Sequence, residues 1–357
     1  VSAEGKVMID LPAGPGTAVG VRFLPPADVT RLLVGKMPEE VLKIVPAVHG
    51  VCATAQTHAA VLALEGACGI SSAARTLAAR QALTMMECLR EHLLRTVMDW
   101  PKLMGLTGDL ETARRAMTLL PRFQSRFSGE NGPFGLGSEV AVDTKQLSLL
   151  LEEVSAMLKR AVFGEDPRLW LSRQGGQELR SWSKTSETGA GRFLAWLFET
   201  GRFGIAAISP PASGAGFSEA TSLVRRIEDP LLASLGAPAL GNRFVARLVE
   251  LARLPDEIRA VLEGDMASPG PVRVGGGQGR GRVEAARGPL IHNARLEAGR
   301  VSAYDMEPPT NCNFAENGVA MRCLKEIAVL DRAERALCAH LVVNAVDPCV
   351  AYEVRAA

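Results

Sequence analysis

The stretch from Ile44 to Leu64 contains no Asp, Glu, Lys or Arg. A run of that length without charge has two natural destinations, hydrocarbon or a protein interior. Pro46, His49, Gln56 and His58 fall inside it. A proline and three polar side chains argue against insertion in lipid, where each would need an internal partner. The segment is therefore expected as the buried start of a helical core. With only 11 Phe, 4 Trp and 2 Tyr, that core must be filled by Leu, Val and Ala, while 35 Gly and 21 Pro call for extensive irregular connections. The 357 residues suggest two domains, or one large domain with insertions. Lys and Arg number 40 against 39 Asp and Glu, a formal charge of +1, so no field draws in nucleic acid or an anionic membrane. Neither is expected as a partner. Seven cysteines, an odd and scattered set without an N-terminal secretory pattern, point to reduced thiols and a cytoplasmic setting.

The fold class expected from this pattern is mainly α with small β elements. Lys6–Asp10 and Ala18–Leu24 alternate around the turn signal at residues 12–16 and read as a β-hairpin. Pro38, Glu39 and Glu40 suit a first helical turn, and the apolar face that follows is interrupted at Pro46. Further helices are expected near 53–66, 71–100, 110–120, 145–163, 191–200, 241–263 and 325–343. Loops are expected at 128–138, 174–189 and 208–216. Residues 266–282, with Gly275, Gly276, Gly277, Gly279 and Gly281, read as a flexible linker. That linker would divide the chain into 1–265, an N-terminal hairpin with helical core and variable middle region, and 283–357. The second part holds a hairpin over Val283–Arg295 and Arg300–Glu307, a helix, and a C-terminal segment packing back on the same core.

Ordinary chemical signatures are missing. There is no CxxC or HExxH spacing for zinc, no GxSxG elbow for a serine nucleophile, and the glycine run lacks the strand–turn–helix setting of a dinucleotide site. Taken singly, each cysteine reads as a small buried hydrophobe.

Four segments in order nonetheless resemble the large subunits of nickel–iron hydrogenases. Leu33–Glu65, with His49-Gly-Val-Cys52 at its centre, is similar without a gap to that family's first metal-binding region, which carries RICGVCxxxH. Residues 284–292 resemble EAPRGxLxH, residues 308–314 resemble VP(S/T)TWNF, and Asp347-Pro-Cys349 opens like DPCxxCxxH. The resemblance covers both ends of the chain and leaves the middle, about residues 105–282, unmatched. It implies a helical core of the large-subunit type with N-terminal and C-terminal-half β-hairpins.

The departures from that family are selective. His49 stands where one nickel thiolate belongs and Tyr352 where a bridging thiolate belongs, leaving Cys52 and Cys349 of four. Imidazole and phenol do not reproduce a four-thiolate nickel pocket, so no nickel is expected. Thr30, Gln56 and Arg355 replace groups that serve proton transfer or close the motifs, and neither Thr nor Gln works as an acid or base near neutral pH. What persists is the surroundings of the iron's diatomic ligands: Arg287, Pro309 and Thr310, with Asp347 to orient the arginine. A guanidinium and a hydroxyl suit the anionic cyanide nitrogens. This combination resembles hydrogenase expression/formation proteins of the HupK/HoxV type.

The resemblance implies a non-catalytic maturation scaffold. It would hold iron transiently as Fe(CN)2(CO) on Cys52 and Cys349, with His49 a further possible ligand. The iron would come from a HypC-type chaperone and a HypD-type iron-assembly protein and pass to the hydrogenase large-subunit precursor. Two other readings stay open. One is a vestigial, metal-free large-subunit-like protein that only binds chaperones or controls assembly; the other is residual hydrogen chemistry at a nickel-free site. Cys312, in place of a tryptophan, is a possible extra thiol. His58 and His292 read as packing residues.

Overall fold

Helix Ala53–Cys68 explains the missing charge, because every residue from Ala55 to Gly66 is buried and no face meets water. Its one carboxylate, Glu65, is fully buried against Arg80, which donates to it through Nη1 and Nη2 at 2.9 Å each. Ser72 Oγ and the Gly137 backbone N–H donate to the same carboxylate, so this buried pair is well satisfied. The structure is a computed structural model describing residues 5–12, 18–24, 28–209 and 219–356. Most of the expected turn at 12–16 and of the expected loop at 208–216 lies outside the described residues.

The preceding helix, Pro38–Val48, begins at its proline as the sequence suggested, with Glu40 accepting from the Met37 N–H at 2.8 Å. It continues through Pro46 and ends at His49, whose extended backbone opens the loop to Cys52. Helix Ala74–Leu94 lies next in sequence and runs into a π-helical turn, Arg95–Asp99, before Trp100–Leu103. Trp100 stacks on Phe193 with ring centroids 4.8 Å apart and meets Phe244 edge-on at 5.3 Å. Phe193 comes from helix Gly189–Glu199 and Phe244 from Leu240–Glu263, so the middle region supplies much of the central core.

Besides the two-residue pairing of Phe127–Ser128 with Ala141–Val142, two sheets frame this core. Lys6–Leu11 pairs antiparallel with Gly20–Leu24 and parallel with the C-terminal strand Ala351–Ala356, which ties the chain's ends together. The other sheet runs Val272–Gly275, Gln278–Ala285, Gly288–Glu297, Arg300–Glu307, all antiparallel, and packs on helix Ala53–Cys68. Among the described residues no helix is long and apolar enough to cross a membrane.

Three expectations need correction. The glycine-rich stretch expected as a flexible linker at 266–282 is sheet from Val272 on: it forms a hairpin turning through Gly275, Gly276 and Gly277 at positive φ. Gly279 and Gly281 face helix Ala53–Cys68 so closely that a Cβ would overlap the carbonyl oxygens of Ala63 and Ala59. Glycine serves close backbone approach here, not freedom. The expected loop at 174–189 contains helix Gly176–Thr185. The single helix expected at 325–343 is two, Val319–Glu326 and Arg332–Val346, because Asp331 caps the second by accepting from Glu334 N–H at 3.0 Å.

Candidate functional site

Cys52 is the residue just before helix Ala53–Cys68. The backbone N–H groups of Thr54 and Ala55, in its first turn, are not left to the thiol. Glu87, from the neighbouring helix, accepts both, at 2.9 and 3.0 Å. The Cys52 sulfur instead accepts from Gln56 Nε2 at 3.7 Å. Burial pushes the Cys52 thiol up to about 12, with the nearby Cys349 and Glu87 acting the same way and Arg287 and Gln56 against it. Cys52 and Cys349 are thus electrostatic neighbours although they come from opposite ends of the sequence.

Cys349 lies in the short segment between helix Arg332–Val346 and the C-terminal strand. Its N–H donates to Thr310 Oγ1 at 3.3 Å, and the same oxygen lies 2.8 Å from its sulfur. With the hydroxyl oxygen accepting from the backbone, its own proton is free for the sulfur. Thr310 is held in turn by the short helix Pro309–Asn313, which starts on its proline and is anchored by Asn313. That side chain accepts from Ala220 N–H at 2.7 Å and donates to Ala220 C=O at 3.3 Å.

Arg287 sits in the turn between strands Gln278–Ala285 and Gly288–Glu297 and is buried. Its Nη2 donates to Glu91 at 3.1 Å, and its Nε faces Asp347 at 3.4 Å as an ion pair without an aligned hydrogen bond. Nε and Nη1 are buried and have no hydrogen-bond partner. Burial opposes the charge, but Asp347 and Glu91, followed by Cys349 and Cys52, hold the guanidinium above its ordinary range. Asp347 ends its helix in the left-handed region at φ 59°, a costly conformation for a residue with a side chain. It meets Arg95 at 3.0 Å and Arg247 at 3.7 Å as well as Arg287. Burial alone would raise its carboxyl, yet these three cations hold it at about 2.

Of the predicted residues, Thr310 bonds Cys349, Asp347 pairs with Arg287, and both thiols lie near enough to act on the Arg287 charge, while Pro309 opens the helix that carries Thr310. His49 has a buried Nε2 without a hydrogen-bond partner, and burial lowers its basicity. Among the described residues no three His, Cys, Asp or Glu side chains are gathered as a metal cage. His58 faces Thr84 instead, at 2.9 Å. The Tyr352 hydroxyl bonds His340 at 3.3 Å and accepts from Asn344 Nδ2 at 3.2 Å, so it is engaged with helix Arg332–Val346.

Sequence reasoning missed Glu91, Arg95 and Arg247, the charges that fix Arg287 and Asp347. It also missed that Gln56 and His292 touch, with His292 Nε2 2.7 Å from Gln56 Oε1. No local spacing signals them, because each meets a residue far away in sequence.

The hydrogenase expression/formation protein HupV of Azotobacter chroococcum mcd 1 is 31% identical over 367 residues, covering 98% of this chain and 97% of that protein. The chain belongs to that family. The hydrogenase expression/formation protein HupK of Azotobacter vinelandii is 28% identical over 368 residues, with 98% and 97% covered. No family model matches. The fold is that of nickel–iron hydrogenase large subunits: the reduced Ni-Fe-Se hydrogenase from D. vulgaris Hildenborough superposes with a TM-score of 0.63 at 15% identity, covering 95% of each chain. This hydrogenase expression/formation protein thus has the α+β fold that the sequence resemblance implied.

Proposed function

We propose that the protein acts in hydrogenase maturation without catalysing a reaction, holding the Fe(CN)2(CO) fragment as cargo between Cys52 and Cys349 before passing it to a large-subunit precursor. The observation that carries this reading is the buried Arg287 beside two thiols, with Nε turned to Asp347 and Nη1 lacking a hydrogen-bond partner. An unsatisfied buried donor costs about 1–3 kcal/mol, and more when charged. Cyanide nitrogens, anionic and acceptor-only, are suitable partners for such donors. Glu91 and Asp347 fix the guanidinium from behind, and Thr310 steadies Cys349.

The donor set also argues for iron alone. Two soft thiols remain where a nickel–iron pair uses four, and the Tyr352 phenol is occupied elsewhere. A site with two thiolates holds its cargo less firmly than one with four, which suits delivery. The relatives' names, hydrogenase expression/formation proteins, support a role in maturation. The partners in this reading are a HypC-type chaperone and a HypD-type iron-assembly protein on the supply side.

One observation favours a second reading. Because no three potential ligands are gathered among the described residues, the protein could serve as a metal-free, large-subunit-like module that engages the assembly machinery. A single preparation separates the two. Protein purified anaerobically from cells with an intact maturation system is expected to show cyanide and carbonyl stretching bands and bound iron, both lost in Cys52→Ala and Cys349→Ala. Wild-type protein without bands or iron, together with normal hydrogenase maturation in cells carrying both substitutions, would establish the metal-free reading instead.

A further inference from the structure

A line of three buried side chains ends at the Cys52 sulfur. Tyr304 Oη lies 2.7 Å from His292 Nδ1, His292 Nε2 lies 2.7 Å from Gln56 Oε1, and Gln56 Nε2 lies 3.7 Å from Cys52 Sγ. We infer that Gln56 is a fixed hydrogen-bond donor to the Cys52 sulfur, and that His292 and Tyr304 are positioning residues that hold its amide in that sense. The donor geometry stands on the side-chain contacts. Its consequence for bound iron rests on the iron-holding reading above.

The direction of the line follows from proton counting. A neutral imidazole has one donor and one acceptor, and a phenol has one proton. With the Tyr304 hydroxyl donating to Nδ1, Nε2 carries the ring proton and donates to Gln56 Oε1. The amide nitrogen then has to face Cys52. His292 is fully buried and burial holds it neutral, with its pKa near 3. The opposite sense would present Gln56 Oε1 to the sulfur and leave the buried Tyr304 phenol proton without its one acceptor among the described residues, so it is disfavoured even while the sulfur keeps its proton. A sulfur bound to iron accepts and cannot donate, so loading leaves one sense available. An amide does not carry a proton onward, so the line orients the sulfur and does not conduct to it.

The fold builds this line through its glycines. His292 stands opposite Gly281 in the sheet, and Gly281 packs onto Ala59, one turn beyond Gln56. Only that close approach lets a strand residue reach a side chain of the first turn of helix Ala53–Cys68. An N–H donor withdraws electron density from a metal-bound thiolate, as hydrogen bonds to coordinating sulfur do generally.

Nitrogen-15 labelled, cargo-free protein tests the geometry by NMR, and the five histidines keep the ring signals few. His292 is expected as the Nε2–H tautomer. Tyr304→Phe is expected to shift it toward a mixture of tautomers and to move the Gln56 side-chain amide signal, and Cys52→Ser is expected to move the same amide signal. In protein loaded with iron, Tyr304→Phe and Gln56→Leu are both expected to move the cyanide and carbonyl bands to lower wavenumber. His292 protonated on Nδ1, an amide signal indifferent to Cys52→Ser, or bands unmoved by both substitutions would overturn the inference. Wild-type protein without bands but with the expected tautomer and amide shifts would instead overturn the iron-holding reading and leave the donor geometry standing.

Discussion

Arg287 is held between two carboxylates from different parts of the chain, Glu91 at 3.1 Å and Asp347 at 3.4 Å. Asp347 keeps Arg95 and Arg247, and Glu91 keeps Arg90, so Arg287→Leu removes one cation of several and is expected to destabilise the fold by about 1–3 kcal/mol, the cost of leaving buried acceptors short of a donor. Arg287→Lys keeps the charge but replaces a planar fork by a point, so it should cost less in stability and still lower iron content. Urea unfolding and the iron-to-protein ratio separate the two effects. Equal stability for Leu and Lys variants would mean that Glu91 and Asp347 do not depend on the guanidinium. At this scale the sequence is informative where a motif carries its own spacing, as it does for Cys52, Arg287, Thr310, Asp347 and Cys349. It was silent about Glu91, Arg95 and Arg247, because a charge partner contributed by another helix leaves no local pattern. In the sequence Gln56 stands as the loss of a histidine, whereas in the fold its amide contacts the very sulfur that histidine would have followed.

Among the elements, the glycine strand Gln278–Ala285 shows how composition misleads. Five glycines between residues 275 and 281 have the content of a linker, and only alternation with Gln278, Arg280 and Arg282 hints at a strand with one face too close to its neighbour for any side chain. That face lies on helix Ala53–Cys68, whose own small residues, Ala55, Ala59, Ala63 and Gly66, complete the fit. Gly281→Ala places a methyl group against the Ala59 carbonyl and is expected to cost at least about 1–3 kcal/mol, the usual range for overpacking. Gly204→Ala, at a position with open space and ordinary φ, should change stability by less than about 0.5 kcal/mol. Paired thermal melts decide this. If Gly281→Ala melts with the wild type, the strand does not lie against the helix. The π-helical turn Arg95–Asp99 is equally illegible, since the shift that one extra residue makes in the apolar face falls near the end of the helix, with too few residues after it to show a new phase. Yet it carries Arg95, which bonds both Asp99 and Asp347.

For the molecule as a whole, the parallel pairing of Lys6–Leu11 with Ala351–Ala356 makes the site a product of the complete fold, because Cys349 is placed only once the two ends of the chain have met. The same burial that assembles the site makes the protein sensitive to acid. All five histidines are less basic in the fold than in solution, each because burial disfavours the cation. His58 is the cleanest case. It is fully buried, bonds Thr84 at 2.9 Å, lies 6.2 Å from the Phe134 ring, and is held near 3 by burial and then by the positive charge of Arg80. Between its unfolded pKa of about 6.5 and 3, the unfolded chain binds a proton that the native protein refuses. Stability from this group is complete above about 6.5 and falls as the pH drops, by about 1.4 kcal/mol per pH unit, or about 2 kcal/mol by pH 5. His292 adds a slope of the same sign. The carboxylates held low by arginines, such as Asp347 near 2, act in the same direction but only in a more acidic window. Urea unfolding at pH 7.5 and pH 5 is therefore expected to show a clear loss of stability, and His58→Phe, which cannot titrate, is expected to flatten the dependence. A His58→Phe variant with the full wild-type slope would show that this imidazole is not held neutral by the fold.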